Sequence, residues 1–396
     1  MRLSDCHGFD DFRRLAKKRL PAPVFHYIDG GADDEVTLRR NTESFERCDL
    51  VPNVLRGSEH IDLSVTMLGQ HLDMPVYCSP TALQRLFHHQ GERAVGKAAA
   101  AHGTLFGCSS LGTVSLEELR ETCATPQAYQ FYFHKDRALN RAMLQRAKAA
   151  GVDVMMLTVD SITGGNRERD LRSGFTVPMR LTPSSMVEFL RKPRWALDYV
   201  FRAPFSLPQL DAHIRMDGGA MSVGGYFTEM LDKTLDWDDV ADMIAQWDKP
   251  FCLKGVMSVD DARRAVDVGC AGIILSNHGG RQLDGSRTPF DQLSAVMDAV
   301  GGEIDVMMDS GVRRGTHALK ALCLGATAVG VGRYYLFPLA AAGEAGVNRA
   351  LGLMRDELER GMRLLGCAAV ADLRTGHVTF DRQIAHELDR HCPASQ

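Results

Sequence analysis

Eight short apolar runs, each bounded by Gly, Pro or polar residues, set the tightest limit on how this 396-residue chain can fold. They are MPVYCSP (74–80), TLFGCSS (104–110), QAYQFYF (127–133), VMMLTVD (154–160), FCLKGV (251–256), GIILSN (272–277), DVMMDSG (305–311) and AVGVG (328–332). Most are apolar throughout, as parallel strands covered on both faces must be. Amphipathic stretches follow them, at 91–103, 136–151, 258–269 and 288–301. Several open on a capping residue such as Ser258 and close near a glycine such as Gly269. Eight β–α units in a row predict an α/β fold, a (β/α)8 TIM barrel. A doubly wound sheet is the rival. The count of eight, and polar residues gathered at strand C-terminal ends, argue against it.

Two segments break the repeat. Residues 1–62 read as a helical N-terminal extension to a barrel over 63–370, and 371–396 as a tail. Residues 161–233 separate the fourth strand from the next helix, far beyond the usual few residues. An insertion at the catalytic face of a barrel is usually functional. Its middle, roughly 178–215, mixes Arg191, Lys192, Arg194 and Arg202 with Trp195, Tyr199, Phe201 and Phe205. That mixture suits a peripheral membrane-surface segment, or a lid on the barrel or a neighbouring subunit.

Bulk numbers narrow the classes. Hydrophobic residues make up 45% and charged residues 24%, and the net charge of −4 gives no basis for nucleic-acid binding. Ten cysteines without CxxC pairs read as reduced thiols of a cytoplasmic protein. MRLSDCHGFDDFRRLAKKRL is charged and lacks an apolar signal core. No run approaches the ~18 apolar residues of a membrane span, so crossing is not expected, while contact with the inner membrane's cytoplasmic face is compatible.

In a barrel the strand C-termini converge on one site. Here they supply Thr81, Ser109, Gln130, Tyr132, Thr158, Asp160, Lys254, His278, Arg281, Asp309 and Arg333. The set is rich in donors and holds one imidazole. It lacks carboxylates and histidines at metal-ligand spacing, so no metal is expected. DSGVRRG (309–315) and GVGR (330–333) sit where barrels recurrently bind phosphate, with Arg313 or Arg333 to add charge-assisted bonds.

The sixth run leads into SNHGGRQLDG (276–285). Gly279 and Gly280 allow a sharp turn, so that His278 and Arg281 both face the mouth. Arg suits bidentate recognition of a carboxylate, and His suits proton transfer near neutral pH. An anionic acid with a proton to remove fits the pair. A structural ion pair with Asp284 is the bland reading.

SNHGGRQLDG closely resembles the active-site signature of the FMN-dependent α-hydroxy acid dehydrogenases and oxidases. LPAPVFHYIDGGADDE (20–35), SPTALQRL (79–86), YQFYFHKDR (129–137), LTVD (157–160), LKGV (253–256), DSGVRRG and GVGR follow in that family's order. The resemblance implies roles. His278 would accept a proton, with Asp160 stabilising its imidazolium. Arg281, Arg167 and Tyr27 would hold the substrate carboxylate, and Tyr132 would contact its hydroxyl. Lys254 would sit by the flavin N1 and O2. Ser109, Gln130, Thr158 and Ser276 would bond isoalloxazine or ribityl groups, with Pro80, Thr81 and Ala82 packed beside the ring. Asp309 would bind the ribityl chain, and Gly311, Arg313, Gly332 and Arg333 the phosphate. SITGGNRERD departs from the family pattern: Ile162 replaces a proline, so Arg169 competes with Arg167.

Ala82 and Leu111 fall where the family lines the pocket beside the substrate side chain. They resemble small-substrate members, so L-lactate ranks first. The insertion resembles that of mandelate dehydrogenase and membrane-associated lactate dehydrogenases, so mandelate ranks second. Quinone is the expected electron acceptor, with O2 as the alternative, and the resemblance suggests a homotetramer. Other FMN- or phosphate-binding barrels, such as isomerases, and a non-catalytic binding barrel are the readings of a different class.

Overall fold

Every one of the eight runs forms a strand in the computed structural model, which describes residues 1–57, 59–175, 187, 189–202, 206–210 and 229–380. The strands are β1 (Val76–Thr81), β2 (Phe106–Ser109), β3 (Gln127–Tyr132), β4 (Val154–Thr158), β5 (Phe251–Val256), β6 (Gly272–Leu275), β7 (Asp305–Met308) and β8 (Ala328–Val331). They pair in parallel in chain order, and β8 returns to β1 through Val329 opposite Val76, closing the barrel. The fold is a (β/α)8 TIM barrel.

Strand residues alternate between two environments, as a period of two requires. Tyr77, Leu105, Ala128, Val154, Met156, Cys252, Ile274, Met307 and Ala328 pack together inside the barrel. A hairpin, Val65–Met67 with Gln70–Leu72, plugs its N-terminal end with Met67, Leu68 and Leu72. Leu68 N donates to Asp305 Oδ2 at the start of β7, 2.6 Å away. The intervening residues, such as Val76, Phe106, Tyr129, Leu157, Phe251 and Val306, belong to the larger core under the helices. Following the inward phase two residues at a time reaches Ser109, Gln130, Tyr132, Thr158, Asp160, Lys254, Ser276 and Asp309. The barrel interior is therefore apolar at one end and polar at the other.

The N-terminal helices Phe9–Arg19, Ala22–Asp29 and Val36–Glu43 lie against the barrel mouth. Phe9 packs edge-on against Phe337 at 5.4 Å. Asp284 accepts from Val36 N (3.1 Å) and Thr37 N (2.7 Å), so it caps the third helix. It does not pair with His278 or Arg281. Cys48–Leu50 pairs antiparallel with Val378–Phe380, tying the start of the chain to its tail.

Within the insertion, Glu168–Ser173 and Pro193–Phe201 are helical. Trp195 Nε1 donates to Leu86 O at 2.8 Å, and Lys192 Nζ donates to Lys18 O at 2.8 Å, at the C-terminus of the first N-terminal helix. Of the surface segment expected at 178–215, residues 178–186, 188, 203–205 and 211–215 lie outside the described residues, as does 381–396 of the tail. No described helix is long and apolar enough to cross a membrane.

Candidate active site

A cavity of about 1240 Å3, counting its open mouth, lies at the C-terminal ends of the strands. Its walls include Tyr27, Pro80, Thr81, Ala82, Ser109, Leu111, Gln130, Tyr132, Thr158, Arg167, Lys254, His278, Arg281, Asp309, Gly311, Arg313, Gly332 and Arg333. Two of the residues singled out in the sequence, Asp160 and Ser276, stand behind this wall and act on it through neighbours.

His278 takes φ +58°, followed by Gly279 at +69° and Gly280 at +74°. Three left-handed residues in a row reverse the chain, which for a histidine costs ~1–3 kcal/mol. Hydrogen bonds hold the turn: His278 N donates to Ser276 Oγ (3.1 Å), Gly279 N to Ser310 Oγ (3.0 Å) and Gly280 N to Asn277 Oδ1 (3.1 Å). Gly280 is also required for space, because a Cβ there would lie 2.6 Å from Leu38 N. The turn brings His278 Nδ1 to 3.1 Å from Asp160 Oδ1. Ser161 Oγ donates to the same carboxylate oxygen at 2.7 Å. Burial opposes the Asp160 charge, but the His278 imidazole, then Lys254 and Ser161, outweigh it and hold its pKa below the ordinary value. The carboxylate stays ionised and aligns the imidazole, leaving the other ring nitrogen for the cavity.

On β5, between the strands that lead to Asp160 and His278, Lys254 is 4% exposed. Its Nζ lies 3.0 Å from Asp309 Oδ2 and donates to Ser276 Oγ at 2.8 Å. Burial pulls its pKa down, but Asp309 and Asp160 win and raise it, so the ammonium persists. Ser276 is thus a brace for both Lys254 and His278. Beside it, Ser109 Oγ donates to Gln130 Oε1 and Gln130 Nε2 to Thr158 Oγ1, each at 2.8 Å.

The remaining end is cationic. Arg281, Arg313 and Arg333 have no carboxylate within ion-pair distance among the described residues. Arg333 donates to Ile28 O (2.7 Å), Gly30 O (2.7 Å) and Gly279 O (2.8 Å). Burial, then Arg281 and Arg313, pull its pKa down to about 9. Arg281 donates to Tyr27 O at 2.6 Å and lies 4.8 Å over the Tyr27 ring. Arg313 sits 4.5 Å over the Phe9 ring. Buried positive charges that repel one another are costly without a counter-anion. A phosphate beside Gly311, Arg313, Gly332 and Arg333, which line this end of the cavity, would supply one. The donor-lined wall and this cationic end fit a flavin mononucleotide.

Of the two competing arginines, Arg167 is 8% exposed and lies 5.8 Å over the Tyr27 ring, in the cavity wall. Arg169 is engaged elsewhere, 3.0 Å from Asp29 and in an ion pair with Glu35. Sequence reasoning missed Phe9, Ile28, Leu38, Asn41, Phe87 and Gln282, which also line the cavity. Most come from the N-terminal helices, and no strand phase points to them. Gln282 could have been found, since it stands in the quoted signature; its Nε2 donates to Asp160 O and Thr163 O, both at 3.0 Å. Gly255, in LKGV, supports Asp160 from behind. At φ +105° it packs against Asp160, where a Cβ would approach the Asp160 Cβ to 2.6 Å.

Proton removal beside a cationic phosphate end is what a flavin-dependent barrel oxidoreductase requires, and that is the class which fold and mouth define. The chain belongs to the FMN-dependent dehydrogenase family, whose sequence model matches residues 16–380. FMN is the cofactor, and the reaction class is oxidation of a 2-hydroxy acid. The chain is 38% identical over 386 residues to a putative L-lactate dehydrogenase of Mycobacterium tuberculosis, covering 97% of this chain and 91% of that one. It is 39% identical over 371 residues to glycolate oxidase 1 of Oryza sativa subsp. indica, covering 94% and 95%. Among solved structures it resembles (S)-mandelate dehydrogenase, described as a monotopic membrane protein, with TM-score 0.89 and 31% identity over 95% of this chain and 100% of that one.

Proposed function

We propose that the enzyme oxidises L-lactate to pyruvate. The observation that carries this reading is the fixed position of Leu111. It is 4% exposed and lines the same cavity as His278, Tyr132 and Ala82. Leu111 N donates to Ser109 Oγ at 3.2 Å, and Leu111 O accepts from Leu83 N at 3.0 Å. Leucine held at both backbone ends leaves room for a methyl group sooner than for a phenyl ring.

In this reading Arg281, with Arg167 and Tyr27, binds the carboxylate, and Tyr132 contacts the hydroxyl. His278 accepts the proton at the ring nitrogen facing the cavity, and Asp160 stabilises the imidazolium. Bound FMN supplies the acceptor for the two electrons. Lys254, Ser109, Gln130, Thr158 and the stretch Pro80–Thr81–Ala82 would border its ring. Asp309 would meet the ribityl chain, and Gly311, Arg313, Gly332 and Arg333 the phosphate. Ser276 works behind them, through Lys254.

Side-by-side steady-state kinetics with an artificial acceptor test the substrate. We expect a higher kcat/KM for L-lactate than for mandelate or glycolate; a clear preference for mandelate overturns the ranking. Mandelate is the second reading, favoured by the TM-score of 0.89 to (S)-mandelate dehydrogenase.

For the oxidative half we infer electron transfer to a quinone at a membrane surface. Leu190, Leu197, Val200 and Phe201 are exposed on and beside the helix that also carries Arg194, which supports an interfacial role. Deleting residues 178–215 should yield an enzyme that leaves the membrane fraction yet still reduces dye. Hydrogen peroxide formed in step with lactate consumption would instead mark an oxidase. A homotetramer, our expectation for the assembly, is checked by sedimentation of the holoenzyme.

A further inference from the structure

A second cleft opens beside the first, between the end of the helix Phe9–Arg19, the loop after β1 and the helix Pro193–Phe201. It holds about 1020 Å3 counting its mouth. Phe87 is a wall of both cavities. Only 2% exposed, it stacks at 6.2 Å on Tyr27, itself a wall of the flavin and substrate cavity. A single aromatic layer therefore separates the two spaces at this point.

The chemistry of the second cleft is specific. Trp195 and Tyr199 stack at 5.1 Å, and the bond from Trp195 Nε1 to Leu86 O fixes this pair one residue from Phe87. His88 is kept neutral near pH 7, because burial and then His89 push its pKa down to about 4. Arg19, Arg85 and Arg194 add positive charge. The cleft's carboxylate, Asp198, is already paired with Arg202 at 3.2 Å and lies 3.6 Å from His89. At the rim the same helix exposes Leu197, Val200 and Phe201, at 56%, 67% and 79%.

These walls ask for a ligand with three parts. A flat ring would lie among the aromatics. Oxygens on the ring would accept hydrogen bonds and welcome negative charge from the cations. An apolar tail would leave along the exposed face of the helix. We propose that this cleft binds the lipid-borne quinone and that electrons reach it across Phe87; this rests on the quinone reading above. The reaction balances without a further reactant. The hydroxy acid loses two electrons and two protons as its C–OH becomes C=O. The quinone gains two electrons and two protons as its carbonyls become hydroxyls. Its protons come from water through the half-buried His89; of the two the substrate loses, one leaves by His278 and the other is released as the flavin is reoxidised. The cationic walls favour the negative charge that arrives on the quinone oxygens first.

The test uses the holoenzyme in detergent with a decyl-tailed benzoquinone. Rapid mixing measures the two half-reactions separately: bleaching by L-lactate, and reoxidation of the bleached enzyme by the quinone. Tyr199→Ala and Arg194→Glu should each slow quinone reoxidation at least tenfold, leaving bleaching and reoxidation by ferricyanide within twofold. The quinone should also quench tryptophan fluorescence in the wild type, and Trp195→Phe should remove that quenching. The quenching itself is read on the wild type, and melting temperature checks the fold of the Trp195→Phe protein. Unchanged quinone reoxidation in both variants, with no quenching through Trp195, overturns the cleft while the quinone reading stands. A wild type that quinone never reoxidises, but O2 does, overturns the acceptor reading itself and the cleft with it.

Discussion

Replacing Asp160 by Asn separates charge from shape at the pair proposed to accept the proton. Asn keeps an oxygen where His278 Nδ1 finds Asp160 Oδ1 at 3.1 Å, and that oxygen can still accept from Ser161. What disappears is the negative charge facing the imidazolium formed once the proton has moved. Two unit charges about 4 Å apart in an effective dielectric of about 20 interact by ~4 kcal/mol. If the transition state feels half of this, flavin reduction slows ~30-fold; if it feels nearly all, ~1000-fold. The assay is anaerobic rapid mixing of fully FMN-loaded protein with saturating L-lactate, following loss of the flavin absorbance. FMN content and melting temperature are compared first, so that a loss of cofactor is not read as a loss of chemistry. A D160N enzyme reduced within threefold of the wild-type rate, with flavin fully bound, refutes the assignment of Asp160 as the group that stabilises the protonated base.

Gly255→Ala should disturb the same pair from behind, since a Cβ at φ +105° lies 2.6 Å from the Asp160 Cβ; a loss of ~1–3 kcal/mol in thermal stability together with slower flavin reduction is expected, read by calorimetry and rapid mixing. Arg313→Ala removes one cation from the buried cluster and should weaken FMN retention ~10- to 100-fold, as one charge-assisted bond of about 1.5–3 kcal/mol predicts, measured by titrating apoprotein with FMN. Folding lowers the pKa of Asp29, which burial opposes but Arg13, Arg333 and Arg169 outweigh, and also that of Asp160. Groups whose folded pKa is depressed stabilise fully above the unfolded value of about 3.9 and lose that stabilisation as pH falls through the folded pKa; melting temperature should therefore drop steeply below about pH 4, and D29N should flatten that drop.

The barrel was legible because its strands are short, apolar on both faces and separated by amphipathic helices, so each residue pattern reports its own local structure. The mouth was legible for a related reason. Once a strand is recognised, a period of two carries the inward phase from Met156 to Thr158 and Asp160, or from Cys252 to Lys254. His278 follows the same phase from Ile274 through Ser276. What the pattern could not reach are groups brought in from far along the chain. Phe9, Leu38 and Asn41 border the cavity because whole helices dock on the mouth. Phe87 lies in a short turn of helix after β1, where neither a strand nor a helix period applies. The choice between Arg167 and Arg169 was open for a different reason: it turns on the carboxylates Asp29 and Glu35, more than 130 residues away in sequence.

Docking of the N-terminal helices also explains how a strained turn can sit at His278, the proposed base. Asn277 and Asn41 exchange amide bonds of 2.9 and 2.7 Å in a buried pair. Asn277 Oδ1 then accepts from Gly280 N, two residues past His278. On the far side of the turn, Gly280 O accepts from Ala32 N at 2.9 Å, and Arg281 donates to Tyr27 O. The left-handed His278 is thus held by bonds from the N-terminal helices as well as by Ser276 below it. Each of these bonds is worth only ~0.5–1.5 kcal/mol net, but their sum exceeds the ~1–3 kcal/mol cost of the backbone conformation. The extension is therefore part of what positions the proposed base. An imidazole held only by its own strand would relax toward negative φ and swing away from Asp160.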